Sequence, residues 1–213
     1  DVTAAAHELA AQLQRERPPM SEALFAELVT RVSTETILRL NESLKRRTTL
    51  RVGGNADIYV EPASEDDLSE VVSFCARRGL PFTMLGRGSN LLIRDNDIRD
   101  VVICQGHPDY SRIEVAGELI HCGAGARLKA VAVEARRHEL AGLEFLEGIP
   151  GSVGGAMRMN AGAMGSWMFE VVDRIRFMDH SGQVQERAAS EVTVEYRGCP
   201  LFKNHIALGA ILK

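Results

Sequence analysis

With 213 residues, a net charge of −4 and an isoelectric point near 5.9, the chain suffices for one substantial domain or two small ones, and it lacks a broad basic field that would track nucleic acid. Its 45% hydrophobic and 25% charged residues, with only 7 prolines, exclude a disordered, collagenous or fibrous chain. No apolar run nears the ~18 residues of a membrane span and the first residues lack a secretory pattern; the cysteines at 75, 104, 122 and 199 show neither C-x-x-C spacing nor a dense framework, so a cytoplasmic protein with free, buried thiols is expected.

Residues 7–44 carry helical spacing, with Leu9 and Leu13 on one face, then Leu24 and Leu28, and later Ile37 and Leu40. Pro18-Pro19 breaks the run and Ser21 is placed to cap a second helix, so a helical extension over 1–46 is expected, packed against the body or presented to a partner. After Gly53-Gly54 the pattern changes. Residues 56–60 read as a strand ended by Pro62, and Ser64-Glu65-Asp66-Asp67 opens a helix with Leu68, Val71, Val72 and Cys75 inward and Gly79 at its end. Strands over 82–85 and 101–104 complete a β-α-β unit, giving a small lobe at 47–107. A larger lobe at 108–213 opens with a hairpin, 112–115 and 119–122 around Gly117-Glu118. It continues with a helix over 127–138 that carries Leu128, Val131, Ala132 and Ala135 on one face. Strands follow over 171–178, 183–187 and 206–212, the first two joined through His180-Ser181-Gly182. The fold class expected is α+β, in two lobes.

Nine of the 19 glycines fall between Gly123 and Gly165. Glycine loses more backbone entropy on folding than other residues, so this density implies either positive φ or close approach of a ligand to bare main chain. Gly148-Ile149-Pro150-Gly151-Ser152-Val153-Gly154-Gly155-Ala156, followed by Asn160-Ala161-Gly162-Ala163, presents successive N–H groups suited to diphosphate oxygens; a turn-rich loop is the plainer reading. Gly86-Arg87-Gly88-Ser89-Asn90 directly follows a strand, yet Leu91 occupies the last glycine position of G-x-G-x-x-G and no Gly-Lys-Ser/Thr is present, which argues against Rossmann and Walker loops. Ser89 and Asn90 instead offer a hydroxyl and an amide to phosphate and ribose. No metal site is supported: His7-Glu8-Leu9-Ala10-Ala11 and His138-Glu139-Leu140-Ala141-Gly142 both lack the second histidine of a zinc helix. Ser152 and Cys199 have no sequence-adjacent base, which disfavours a nucleophilic hydrolase. Arg197, in Tyr196-Arg197-Gly198-Cys199-Pro200, is either a solvated charge or a fixed guanidinium for a carboxylate or phosphate.

Five ordered segments carry a family resemblance: Arg47-Thr48-Thr49-Leu50-Arg51-Val52-Gly53-Gly54-Asn55-Ala56; Leu85-Gly86-Arg87-Gly88-Ser89-Asn90-Leu91-Leu92; Gly142-Leu143-Glu144 with 148–155; Met159-Asn160-Ala161-Gly162-Ala163; and Tyr196-Arg197 with Phe202-Lys203. Over about 41–213 the chain resembles the UDP-N-acetylenolpyruvoylglucosamine reductases. The resemblance implies a two-lobed FAD-binding fold of the vanillyl-alcohol-oxidase (PCMH) type, with the cofactor extended between the lobes. By similarity, the FAD diphosphate falls to 86–90 and 148–156, with Leu85 and Leu91 beside them. Gly53, Gly54 and 160–162 fall near the flavin, and Gly123-Ala124-Gly125 along the same groove.

The family reduces FAD with NADPH and passes hydride to the enolpyruvyl ether of a UDP-sugar, UDP-N-acetylglucosamine enolpyruvate, in peptidoglycan precursor synthesis. Arg197 matches the arginine that faces the substrate carboxylate, and Tyr196 flanks it at the substrate. Two departures stand out. Cys199 occupies a position where the family often has serine, and the substrate-binding third domain, with its serine proton donor and late glutamate, would begin after Lys213. A truncated form, a short homologue or a partner chain supplying that domain are all compatible. The competing expectation is a non-catalytic FAD-binding or structural module that keeps the cradle without turnover.

Overall fold

Ser21 takes the extended conformation of an N-cap and its hydroxyl accepts from the Leu24 N–H, which starts helix α1 (Glu22–Val29) where the sequence places it. The computed structural model describes residues 18–213, so the expected helix around Leu9 and Leu13 lies outside the described residues. Ile37–Ser43 departs from the helical spacing of Ile37 and Leu40. It is strand β1, antiparallel to β2 (Asn55–Glu61), in one continuous register whose pairing is interrupted at Asn41, where φ is +54°. Its main chain fills the open edge of β2, and such edge pairing outweighs a short i, i+3 apolar pattern.

The Ser64 hydroxyl accepts from the Asp67 N–H to start α2 (Glu65–Arg78), and Gly79, at φ +61°, ends it. β3 (Phe82–Leu85) and β4 (Ile98–Cys104) follow, and the small sheet runs β1-β2-β4-β3 with β2, β4 and β3 parallel. Both faces are covered, which explains the continuous apolar runs of β2 and β4. Ile58, Val60, Val101 and Ile103 pack on the two helices, whereas Ala56, Tyr59, Leu85 and Val102 form a separate cluster on the other face.

The larger sheet is antiparallel, in the order β10-β9-β11-β6-β5, from β5 (Ile113–Ala116), β6 (Leu119–Gly123), β9 (Val172–Met178), β10 (Val184–Ala188) and β11 (Ile206–Leu212). Helices α3 (Leu128–Arg137) and α4 (Val153–Met159) cover one face, burying Leu128, Val131, Val153 and Met157 against Ile175, Phe177 and Leu212. The lobes lock where the turn after β9 meets α2. Ser69 donates to the Gly182 carbonyl at 3.0 Å, Ser73 donates to that of Ser181 at 3.1 Å, and a Cβ on Gly182 would sit 2.3 Å from the Ser69 hydroxyl.

Asp67 fastens the segment between α1 and β1. Its buried carboxylate accepts from the Ser33 N–H and hydroxyl, both at 2.7 Å, and from the Thr36 hydroxyl at 2.9 Å. Burial alone would raise its pKa, but the hydrogen bonds from Ser33, Thr36 and Ser64 outweigh it and hold the group below the ordinary carboxylate range. The stability it contributes is therefore complete above the unfolded-state pKa and is lost as pH falls through the lowered one. Asp67→Ala is expected to cost about 2 to 3 kcal/mol at neutral pH and to flatten the acid limb of a urea-denaturation series. An unchanged acid limb would show that other carboxylates dominate it.

Candidate functional site

Two adjoining cavities lie between the sheets. One, of about 390 Å³, is walled by Arg46, Leu85, Cys104, Gln105, Gly106, Ala124, Gly125, Gly154, Phe202 and His205. The other, of about 400 Å³, is walled by Gly88, Ser89, Asn90, Leu91, Ile149, Pro150, Gly151, Ala156, Asn160, Ala161, Gly162, Trp167 and Arg197. Met84, Gly86, Arg87, Ser152, Gly155 and Arg158 border both, so the two form one bent groove. Its form suits an extended two-part ligand better than a compact one.

The end of β3 delivers Gly86 to the junction, and residues 47–49 hold the loop that follows. The Thr49 N–H donates to the Gly88 carbonyl at 3.1 Å, and Gly88, at φ +63°, lies so close that a Cβ would meet the Arg47 carbonyl oxygen at 2.2 Å. Ser89 donates to the Pro150 carbonyl at 2.9 Å, tying this loop to the second. That hydroxyl proton, expected on a phosphate, is thus engaged within the protein. Residues 148–156 are not one irregular loop. A 3₁₀ turn (Glu144–Gly148) leads to Ser152, which caps α4, and the Val153 and Gly154 amides donate to Ala126 and Ala124. Among the described residues, the amides of 87–90, 151 and 152 donate to no protein acceptor, so the groove retains a row of main-chain donors for an anion.

The glycines divide into two groups by what surrounds them. A Cβ on Gly86, Gly151 or Gly155 would meet nothing closer than a serine hydroxyl at 3.4 to 3.6 Å and would project into the groove; on Gly148 it would meet nothing, though Gly148 borders neither cavity. At Gly86, Gly151 and Gly155 the groove wall is therefore bare main chain, open to close approach by a ligand. The others serve the fold. Gly54 lies against the Asn96 carbonyl, with a Cβ at 2.3 Å, and Gly53 against Ile93 at 2.8 Å; neither lines the groove. Gly123 abuts the Tyr110 carbonyl and opens onto the opposite side of the larger sheet. Gly125 meets the Gln105 carbonyl at 2.5 Å, and Gly154 meets Ala124 at 3.0 Å. Asn160, left-handed at φ +40°, donates its amide to the Glu195 carbonyl and accepts from the Phe169 N–H, so it clamps three segments together.

Charge favours an anion as well. Arg47 is neutralised by Glu42 and Glu61 at 2.9 and 2.8 Å and stacks over Tyr59. Among the described residues Arg46, Arg87, Arg158 and Arg197 have no carboxylate partner, so a groove in an acidic protein is locally cationic. Arg158 donates to the Phe202 carbonyl, which fixes its guanidinium at the junction. Arg197 sits in a two-residue turn closed by reciprocal hydrogen bonds between Glu195 and Gly198, at 2.8 and 3.2 Å. It is left-handed, at φ +58°, with its guanidinium over the Tyr196 ring at 5.7 Å. The Tyr196 hydroxyl raises its pKa further, so it stays charged at any physiological pH. Tyr196 itself is 76% exposed beside the cavity mouth. Burial pushes the Cys104 thiol up, leaving it protonated in the groove wall.

Sequence reasoning missed Arg158, Trp167, Gln105, Phe202 and His205. Arg158 had a signal, an arginine between two glycine-bearing segments, and Phe202 stands in a segment that carries the family resemblance; the others reach the groove only through tertiary packing.

Comparison with known proteins accords with this geometry. The FAD binding domain model matches residues 56–187. The chain is 38% identical over 174 residues to the UDP-N-acetylenolpyruvoylglucosamine reductase of Staphylococcus haemolyticus, covering 82% of this chain and 56% of that one. It is 40% identical over 178 residues to that of Pelobacter propionicus, covering 83% and 59%. The crystal structure of the Thermus caldophilus reductase superposes with a TM-score of 0.70 at 32% identity, covering 84% of this chain and 62% of that one. The grass-pollen protein Phl p 4, a glucose dehydrogenase, shares the fold at a TM-score of 0.66 and 14% identity, covering 90% of this chain and 43% of that one. The chain thus spans less than two thirds of the length of the curated reductases it matches. It belongs to the FAD binding domain family and resembles, over most of its length, the UDP-N-acetylenolpyruvoylglucosamine reductases.

Proposed function

We propose that this chain is the FAD-carrying part of a cytoplasmic UDP-N-acetylenolpyruvoylglucosamine reductase of peptidoglycan precursor synthesis, with NADPH as reductant and UDP-N-acetylglucosamine enolpyruvate as substrate. The observation that carries this reading is the bent groove, floored by side-chain-free main chain and lined by unneutralised arginines, in a chain 36 to 40% identical to such reductases. Gly86, Gly151, Ser152 and Gly155, with Arg87 and Arg158, are proposed to hold the FAD diphosphate. When bound, FAD supplies the hydride carrier between NADPH and the enolpyruvyl double bond. Arg197 binds and orients the substrate carboxylate, and its positive charge counts most when hydride addition at the terminal carbon drives negative charge toward that group. Tyr196 flanks the same group. The proton that completes the reduction is proposed to come from a further segment or chain, because no general acid is assigned in this groove.

Purification without added cofactor, followed by a visible spectrum, tests the first part: a flavin band at one cofactor per chain is expected, and a colourless chain that takes up no FAD overturns it. NADPH oxidation with and without UDP-N-acetylglucosamine enolpyruvate tests the rest. Substrate-dependent oxidation supports the reductase; slow oxidation indifferent to substrate identifies a binding module instead.

A further inference from the structure

Trp167 is the chain's one tryptophan, yet it belongs to none of the three hydrophobic clusters that build the two lobes. A large aromatic side chain outside every core calls for another explanation. It borders the same cavity as Ser89, Gly151, Asn160 and Arg197, at the end away from Arg46 and Gln105. We infer that Trp167 closes the Arg197 end of the groove and lays its indole against the ring system of the bound cofactor, an inference that rests on the FAD reading above.

Several contacts pre-set the indole. Trp167 pairs with Gly162 across a two-residue hairpin, β7 (Gly162–Ala163) and β8 (Ser166–Trp167). Its turn, Met164-Gly165, has φ +55° and +88°, positive at both central residues as tight hairpins require. The indole lies directly on Gly162, where a Cβ would come within 2.4 Å of its Cε3 atom. Its edge meets the Tyr196 ring at 5.7 Å and 73°. The Glu170 carboxylate accepts from its main-chain N–H at 3.0 Å. A ring so held loses little freedom when a flat ligand stacks on it.

Its polar edge is open. Among the described residues the indole N–H has no acceptor, while no buried side-chain polar atom lacks one, so this donor faces groove or solvent. An indole N–H lies in the ring plane, so a ring stacked on the indole face leaves this donor to water or to a ligand atom beyond the stack. Electron-rich indole also stacks favourably on an electron-poor tricycle. Through Tyr196, the same side chain braces the turn that carries Arg197.

Because there is one tryptophan, a ¹⁵N-labelled chain gives a single indole resonance, and the native protein tests the inference without mutation. After the co-purified flavin has been stripped, titration with FAD and with FMN is expected to shift that resonance strongly, and titration with ADP to leave it in place while glycine amides of the groove move. Glycine amides that respond to FAD beside a stationary indole would overturn the role of Trp167 and leave the cofactor reading intact. An entirely unresponsive spectrum would remove both. Trp167→Phe is expected to weaken FAD roughly two- to tenfold and leave ADP affinity unchanged, the scale of one aromatic stack. Equal losses for FAD and ADP would mark the residue as a support of the fold only.

Discussion

Gly155→Val loses its flavin and keeps the unfolding temperature of the flavin-free native chain: this is the expected result at the junction of the two cavities. Gly155 is exposed in the first turn of α4, and a Cβ there meets nothing nearer than the Ser152 hydroxyl at 3.6 Å. Glycine is also a poorer helix residue than valine, so the protein itself has nothing to lose. The added carbons fall where a cofactor diphosphate would lie against bare main chain, and occupancy is expected to drop from stoichiometric to below one tenth. Gly88→Ala provides the opposite case. Its Cβ would meet the Arg47 carbonyl at 2.2 Å from a left-handed backbone, a destabilisation of about 3 kcal/mol or more, with flavin lost only because the fold is weakened. Gly151→Val, at φ +147°, combines both effects. Visible absorbance of the purified variants, set against their melting curves, separates the three. A fully yellow Gly155→Val protein would refute the cradle.

At the other end of the groove, Arg197→Lys is expected to retain FAD at one per chain while lowering the substrate-dependent rate by about 10² to 10³-fold, the scale of losing a donor aimed at developing negative charge. Lysine keeps the charge but cannot form the two-pronged carboxylate contact of a planar guanidinium. The backbone sharpens the test. Arg197 holds a left-handed φ of +58° that glycine adopts freely, so Arg197→Gly should be more stable than the native chain and less active still. Flavin content, melting temperature and turnover together decide the matter: loss of flavin in the lysine variant, or an unchanged rate, contradicts the assignment.

Much of the architecture could be read from residue patterns. Ser21, the Ser64-to-Asp67 cap and the Gly79 stop placed α1 and α2, and the hairpins at Gly117 and Gly182 lie where turn chemistry put them. Local hydrogen bonding and backbone sterics act over a few residues, so they leave a local record. Ile37–Ser43 left a misleading one, because an edge strand is recruited by a neighbour's unpaired main chain, and its own side chains, mostly exposed, register that only weakly.

The sequence by itself determined the α+β class in two lobes, the glycine-rich segments and the family resemblance, all of which reside in contiguous residues. Only the tertiary structure decided which glycines face the groove and which face the protein. Gly86, Gly151 and Gly155 look into the groove, whereas Gly53, Gly54, Gly88 and Gly123 are required by carbonyls or side chains from distant segments. It also brought Arg158 and Trp167 to the site. The physical reason is the same in both cases: a missing side chain is equally legible wherever it occurs, but what occupies the space beside it is set by long-range packing.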